Sequence, residues 1–336
     1  MTAAFHFIQP TNPGSNSLID SLGEKPQDFP ALARSATLSP LVSKGVILVE
    51  GPDTEKLLQG QLTCDINQLS DEHALKGALC DVKGRMISSL ICMTTMSGAT
   101  LLIMHRELVE ITLATLKKYA VFYKVTLTDA SDDYAVFGVH DDKTNCTINV
   151  KSGVDTTLAD IAHGLQLVVC SSPHAEQFWT TYSENYKPCG ENFWHYLMII
   201  HGEGEVYPNT SGEFIPQMLN LQHTNAVNFR KGCYTGQEII ARMQYLGKLK
   251  RRMYHLLIRS EQSTNTGFKP GDKIDIEGKS DVGTVVSVAI SANGIEFLAV
   301  RTEEAANAPT LCIGEVGGSF EVVPLPYDDK FMAAPK

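Results

Sequence analysis

The spacing of apolar residues changes at Arg251, and that change commits the chain to more than one kind of core. Beyond it come short alternating runs, YHLLI, KIDI, GTVVSVAI, GIEFLAV and SFEVV, broken by Gly, Asn and Pro. Period-two alternation with frequent turn residues is the pattern of a small antiparallel β-barrel. Before Arg251 the spacing is mixed. Residues 45–50 read as a strand, after which Leu57, Leu58 and Leu62 recur at helical intervals. Residues 74–81 and 86–93 read as strands joined by the turn VKGR (82–85), and 99–104 as a third strand. Residues 107–118 read as an amphipathic helix. A second stretch opens with YAVFGV at Tyr134, passes through LQLVVC and continues into a helix over 174–182, so it repeats the strand-then-helix order. The expected domains are residues 1–130 as a first α+β unit with 200–247 packing against it, 131–199 as a second α+β unit, and 248–330 as the barrel. Residues 9–40 form a lead-in rich in Pro, Gly and Ser.

At 336 residues and 43% apolar content the chain can fill two or three cores without staples. Its net charge of −10 repels polyanions as a whole. The eight cysteines (64, 80, 92, 146, 170, 189, 233, 312) form no C-x-x-C pair and no Cys/His cluster at zinc spacing, so no metal is expected. The first forty residues lack the basic start and apolar segment of a secretory signal. The longest apolar runs, such as 46–49 and 197–200, fall far short of the roughly 20 residues that span a bilayer. The expectation is a cytoplasmic protein with reduced thiols and no membrane partner.

Chemistry concentrates in residues 214–252, FIPQMLNLQHTNAVNFRKGCYTGQEIIARMQYLGKLKRR. From 230 to 252 this acidic chain carries seven basic residues, Arg230, Lys231, Arg242, Lys248, Lys250, Arg251 and Arg252, against the single acid Glu238. Thr235 and Glu238 fit a capping box, which predicts a helix starting near Gly236 with Ile239, Ile240 and Met243 toward the core. Cys233 falls just ahead of that helix, two residues after Lys231, where the dipole and the ammonium favour thiolate over thiol. Gly232 and Gly236 allow conformations and approaches that side chains would block. The plainer alternatives are a cysteine acting as a small buried hydrophobe and a solvated basic face. The motif GEGE (202–205) lacks the Lys-Ser/Thr of a P-loop and the spacing of a dinucleotide fingerprint, so a nucleotide loop is rejected.

KGCYTGQE, preceded by IPQMLNLQ and followed by ARMQYLGKLKR, resembles the signature of the YgfZ family of folate-binding and tRNA-modifying proteins. VEGPDTEKLLQGQLTCDI, CDVKGRM, KKYAVFYKV and EVVPLPY resemble further motifs of that family in the expected order, so the likeness spans about residues 45–328. It implies an α+β fold like that of the glycine-cleavage T-protein: two interlocking, ferredoxin-like α+β units around a central cavity, with a C-terminal antiparallel β-barrel. It also implies tetrahydrofolate as cofactor, iron–sulfur enzymes as clients, tRNA as an indirect partner, and a monomer. The implied function is a folate-binding accessory protein supporting iron–sulfur enzyme maintenance and tRNA modification. The alternative is a folate-dependent, aminomethyltransferase-like C1-transfer enzyme.

Under that resemblance Cys233 and Lys231 are the reactive pair. Trp194 is the candidate stacking face for the pterin, the alternative being a core role in WHYLMII. Arg230 and Arg242, with Lys231, would meet the glutamate-tail carboxylates or, alternatively, RNA phosphates. Gln237 and Glu203 complete the implied folate-binding set. Lys83 and Arg85 match a basic turn of the family or are a solvated hairpin tip. Three positions depart from the relatives. Ser88 and Ser89 stand where T-proteins carry the aspartate of transfer chemistry, which argues against aminomethyl transfer. Ile200 replaces a pterin-edge glutamate, with Glu203 or Glu205 as substitutes, and Lys44 replaces an aromatic.

Overall fold

The computed structural model describes residues 3–8, 19–142, 156–247, 249–259, 267–306 and 308–327. Cys146 and Lys248 lie outside them. In chain order the elements are α1 (Phe29–Leu32), β1 (Thr37–Pro40), β2 (Lys44–Glu50), α2 (Thr54–Gln61), β3 (Leu75–Cys80), β4 (Met86–Thr94), β5 (Thr100–His105), α3 (Val109–Ala120) and β6 (Thr126–Asp129). There follow β7 (Tyr134–His140), β8 (Thr156–Ala162), β9 (Leu165–Ser171), α4 (Ala175–Tyr182), β10 (Lys187–Pro188) and α5 (Glu191–Ile200). The last set is α6 (Gln237–Leu246), β11 (Arg251–Ile258), β12 (Lys273–Ile276), β13 (Lys279–Ser291), β14 (Gly294–Thr302), α7 (Glu303–Ala306), β15 (Thr310–Ile313), β16 (Val316–Ser319) and β17 (Glu321–Val323).

The chain divides into two compact units that do not follow sequence order. Residues 1–59, 65–76 and 90–194 form the first, and 60–64, 77–89 and 195–336 form the second. In the first unit β5 pairs antiparallel with β2 and β2 with β6. Its other sheet has the order β10-β1-β7-β9-β8. Phe137 on β7, Val168 on β9 and Phe178 on α4 meet there in a core joined by Leu38 of β1. β1 is buried throughout, although TLSP lies in a segment whose composition reads as loop.

The second unit ends in a seven-stranded sheet in the order β16-β15-β12-β13-β14-β11-β17, a curled antiparallel half-barrel. Its inner face carries Leu256, Ile274, Val285, Phe297 and Ile313, all fully buried. Two-residue loops close the hairpins: Glu277-Gly278 joins β12 to β13, with Gly278 at φ +72°, the left-handed region that suits glycine. The run SFEVV is not one strand. It divides at Phe320, whose ring lies 4.5 Å from the Arg301 guanidinium.

Candidate functional site

In the second unit the segment 226–236 is fastened at both ends to residues 60–64. Thr63 Oγ1 donates to the Ala226 carbonyl (2.6 Å), and the Asn228 N–H donates to the Thr63 carbonyl (2.9 Å). The Asn228 carboxamide oxygen then accepts from the backbone N–H of Arg230 (2.8 Å) and Lys231 (3.0 Å), an Asx turn that reverses the chain. At the far end the Thr235 N–H reaches the Gly60 carbonyl (3.1 Å) and its hydroxyl donates to Gln61 Oε1 (3.1 Å). Between the anchors lie Gly232 and Cys233, both exposed.

Lys231 is the third anchor. Its ammonium donates to the carbonyls of Leu62 (2.8 Å) and Cys64 (2.6 Å) and sits 5.2 Å from the centre of the Tyr234 ring. Tyr234 is buried, and desolvation, helped by the nearby Cys80 thiol, pushes its phenol well above the usual range. Gly236 has φ +83°, and a side chain there would run into the Asp81 carbonyl 2.5 Å away, so only glycine can end the loop on the 81–85 turn. Gly232 is different: nothing lies within 4 Å of where its Cβ would stand. Packing does not require a glycine at that position.

The helix after the loop starts at Gln237, one residue past the expected Gly236, which is its N-cap. The capping box does not form. No side chain caps α6, because the Thr235 hydroxyl is committed to Gln61. Ile240 and Gln244 are the buried residues of α6, whereas Ile239, expected to face inward, is 37% exposed. The Gln217 amide, fully buried, donates to the Ile240 carbonyl at 2.7 Å and holds the helix in place. Among the described residues Gln217 Oε1 and Tyr234 Oη have no hydrogen-bond partner. Neither was assigned a role in the sequence, although both lie inside the motifs quoted there.

Arg230, three residues before Cys233, and Arg242, nine residues after it on α6, are both exposed, and Gln237 Nε2 reaches the Gly232 carbonyl at 3.4 Å. Glu203 is buried elsewhere in the same unit, with its N–H on the Met198 carbonyl (2.9 Å). Arg85 is not a free hairpin tip: its guanidinium donates to the carbonyls of Gly212 (3.2 Å) and Glu213 (2.7 Å). The basic run is also partly structural. Arg251 donates to the Asp281 carbonyl (2.7 Å) and Arg252 to the Tyr254 hydroxyl (2.9 Å). Ser88 is buried, and Ser89 Oγ accepts the Val206 N–H at 2.9 Å. Trp194 belongs to the first unit. It is 2% exposed, with its ring against Gly138, where an added Cβ would fall 2.3 Å from the indole. Its Nε1 has no partner among the described residues.

The thiols separate by environment. Cys64, Cys80, Cys92, Cys170 and Cys189 are buried, and Cys233 and Cys312 are the exposed ones among the described residues. Burial, with Glu24 nearby, pushes the Cys189 thiol up to about 12, far from reactivity at neutral pH. Among the described residues no group of three or more His, Cys, Asp or Glu is placed to hold a metal ion. No described helix is long and apolar enough to cross a membrane.

No protein-family model matches the chain. Its sequence is similar to curated proteins named "tRNA-modifying protein YgfZ". It is 31% identical to that of Colwellia psychrerythraea, over 84% of this chain and 94% of the relative. It is 35% identical to that of Aliivibrio fischeri (77% and 86%) and 32% to that of Escherichia coli O157:H7 (85% and 94%). Among solved structures, the glycine cleavage system aminomethyltransferase T of Bartonella henselae superposes with a TM-score of 0.72, covering 94% of this chain and 92% of that one at 13% identity. That likeness establishes a T-protein-like α+β fold.

Proposed function

Because the chain belongs to the YgfZ family of tRNA-modifying proteins, we propose that it binds tetrahydrofolate and acts through Cys233 as an accessory protein for tRNA modification and iron–sulfur enzymes. The observation that carries this reading is the Cys233 loop, fastened on both sides yet leaving one thiol open to solvent beside a bare glycine. Loops held by a rigid scaffold are where ligands and partners are met.

The residues of the second unit fit such a ligand. Arg230 and Arg242 offer exposed guanidiniums to the tail carboxylates, in the planar geometry that suits bidentate pairing. Glu203, buried in the same unit, is the carboxylate proposed for the N–H edge of a pterin. The open space over Gly232 is room that a Cβ would fill. Bound tetrahydrofolate would supply a reduced pterin able to carry a one-carbon unit. Lys231 is a positioning residue: by gripping two backbone carbonyls it fixes the loop and so the direction of the sulfur.

The similarity in fold to an aminomethyltransferase invites a second reading, transfer of a one-carbon unit. Against it, Ser88 and Ser89 are hydroxyls, which do not take up a proton at neutral pH as a carboxylate base does. Ser89 is moreover occupied in accepting the Val206 N–H. Calorimetry with tetrahydrofolate separates the readings. The proposal expects saturable binding, weakened in Arg230→Ala and Gly232→Val, and no turnover with an aminomethyl donor. Absence of binding overturns it, and turnover establishes the transferase.

A further inference from the structure

Helix α6 carries a second apolar row besides the residues that hold it in place. Ile240 and Gln244 face the interior of the second unit. Ile239, Met243 and Leu246 follow at the i, i+4, i+7 spacing that shares one helix face, and that face is turned outward. Ile239 is 37% and Leu246 85% exposed, with Met243 half-buried between them. The 81–85 turn prolongs the row. A Cβ on Gly84 would stand 3.2 Å from Ile239 Cβ, so the turn lies against the start of the helix, and Val82 within it is 74% exposed. Tyr245, on the same helix, sets its half-exposed ring edge-on to Phe229 at 6.2 Å. Single exposed apolar residues are ordinary, whereas a contiguous set on a rigid element marks an interaction site.

The charges around the row are mostly of one sign. Segments 81–85 and 229–250 carry the exposed Lys83, Arg230, Arg242 and Lys250. Their two acids are Glu238 and Asp81, and Asp81 Oδ1 already accepts the backbone N–H of Lys83 (2.8 Å) and Arg85 (2.9 Å). The occupant must therefore bring apolar side chains and carboxylates together. A second copy docked face to face would set these cations against themselves. Nucleic acid supplies negative charge, but Val82, Ile239 and Leu246 offer no ring on which bases stack. The Gln237 amide on the Gly232 carbonyl (3.4 Å) ties the helix to the Cys233 loop, so a segment held here lies beside the thiol. Resting on the accessory-protein reading of Cys233, we propose that this face docks an acidic amphipathic helix of a partner protein. Its apolar row packs on Val82, Ile239, Met243 and Leu246, and its carboxylates meet Lys83 and Lys250, which leaves Arg230 and Arg242 to the folate tail.

Fluorescence anisotropy tests this with the full chain and a labelled peptide of about 20 residues, long enough to be helical alone, with leucine at i, i+3, i+4 and i+7 and glutamate on the flanks. Saturable binding that weakens as salt rises is expected. Val82→Ser/Leu246→Ser alters only exposed side chains and should weaken it by about ten-fold or more, as loss of central anchors does. Lys83→Gln/Lys250→Gln should weaken it about three- to ten-fold, the combined scale of two exposed ion pairs. Met96→Ser, which removes an equally exposed side chain from the first unit, should change it by less than about two-fold. Calorimetry of Val82→Ser/Leu246→Ser with tetrahydrofolate should match the unmutated chain, so failure of folate binding reads out apart from failure of docking. In a strain lacking this gene, the same variant should not restore tRNA modification. The proposal is overturned if the glutamate peptide does not bind, if a peptide with lysine in place of glutamate binds as tightly, or if the variant restores modification in full. It is equally overturned if what Val82→Ser/Leu246→Ser abolishes is a dimer in sedimentation, or binding of single-stranded RNA or phosphatidylglycerol vesicles.

Discussion

Two parts of the second unit carry equally recognisable sequence and use it in opposite ways. Around Tyr327 the motif residues tie the scaffold together. Its hydroxyl donates to the Gly202 carbonyl (2.9 Å) and accepts from Asn220 Nδ2 (3.4 Å), which also reaches the Met253 carbonyl (3.2 Å). Gly202 is at φ +68°, and a Cβ there would meet Tyr327 at 2.9 Å. At Cys233 the ties stop on either side, and the residues between them face solvent. A motif can mark a joint or a working surface. Burial and hydrogen bonding tell the two apart.

The comparison extends to the buried side chains of the first unit and can be broken there first. Trp194→Ala should cost about 3–5 kcal/mol in urea unfolding, the scale for emptying a large core site. A loss under about 1 kcal/mol would show that the indole is not core, and the division between buried scaffold and open loop would need redrawing. Glu191 comes next. Desolvation raises its carboxyl to about 7 despite hydrogen bonds from Ser43 and the nearby Lys44 charge. A folded-state value above the unfolded one means the native state holds the extra proton. Stability should therefore fall as pH rises from the ordinary glutamate range to about 7, by up to about 3 kcal/mol. Glu191→Gln should flatten that slope, and an unchanged slope would refute the assignment.

Tyr327→Phe deletes one donor and one acceptor from the joint and should cost about 1–2 kcal/mol in the same unfolding measurement. Cys233→Ala and Gly232→Ala should change stability by less than about 0.5 kcal/mol, as surface substitutions do. Among the described cysteines, thiol titration of the native protein should modify Cys233 and Cys312 and spare the five buried ones until denaturant is added. Protection of Cys233 would place it with the scaffold.

Much of this was legible in the sequence. Apolar patterning placed β2, β4, β5, α3 and the half-barrel strands: β4 alternates buried and half-buried residues, whereas β2 and β5 are buried almost throughout and show as continuous apolar runs. β1 was missed because TLSP is short, polar and ends in proline, yet it is fully buried between β10 and β7. β6 was missed because an edge strand with one buried residue, Leu127, shows no pattern. The helix after Cys233 was expected from a Thr235–Glu238 capping box; the helix forms but that cap does not, since Gln61 takes the Thr235 hydroxyl and lies 174 residues away. The same applies to Lys231. Two residues of spacing suggested the sulfur as its neighbour, whereas its hydrogen bonds go to the carbonyls of Leu62 and Cys64. Partners distant in sequence leave no trace in local spacing.

The most direct test of the central claim is the level of tRNA modification in a strain lacking this gene and complemented with Cys233→Ala, alongside the melting temperature of the purified variant. The account predicts an unchanged melting temperature and lost modification. Full restoration of modification by the variant would contradict it.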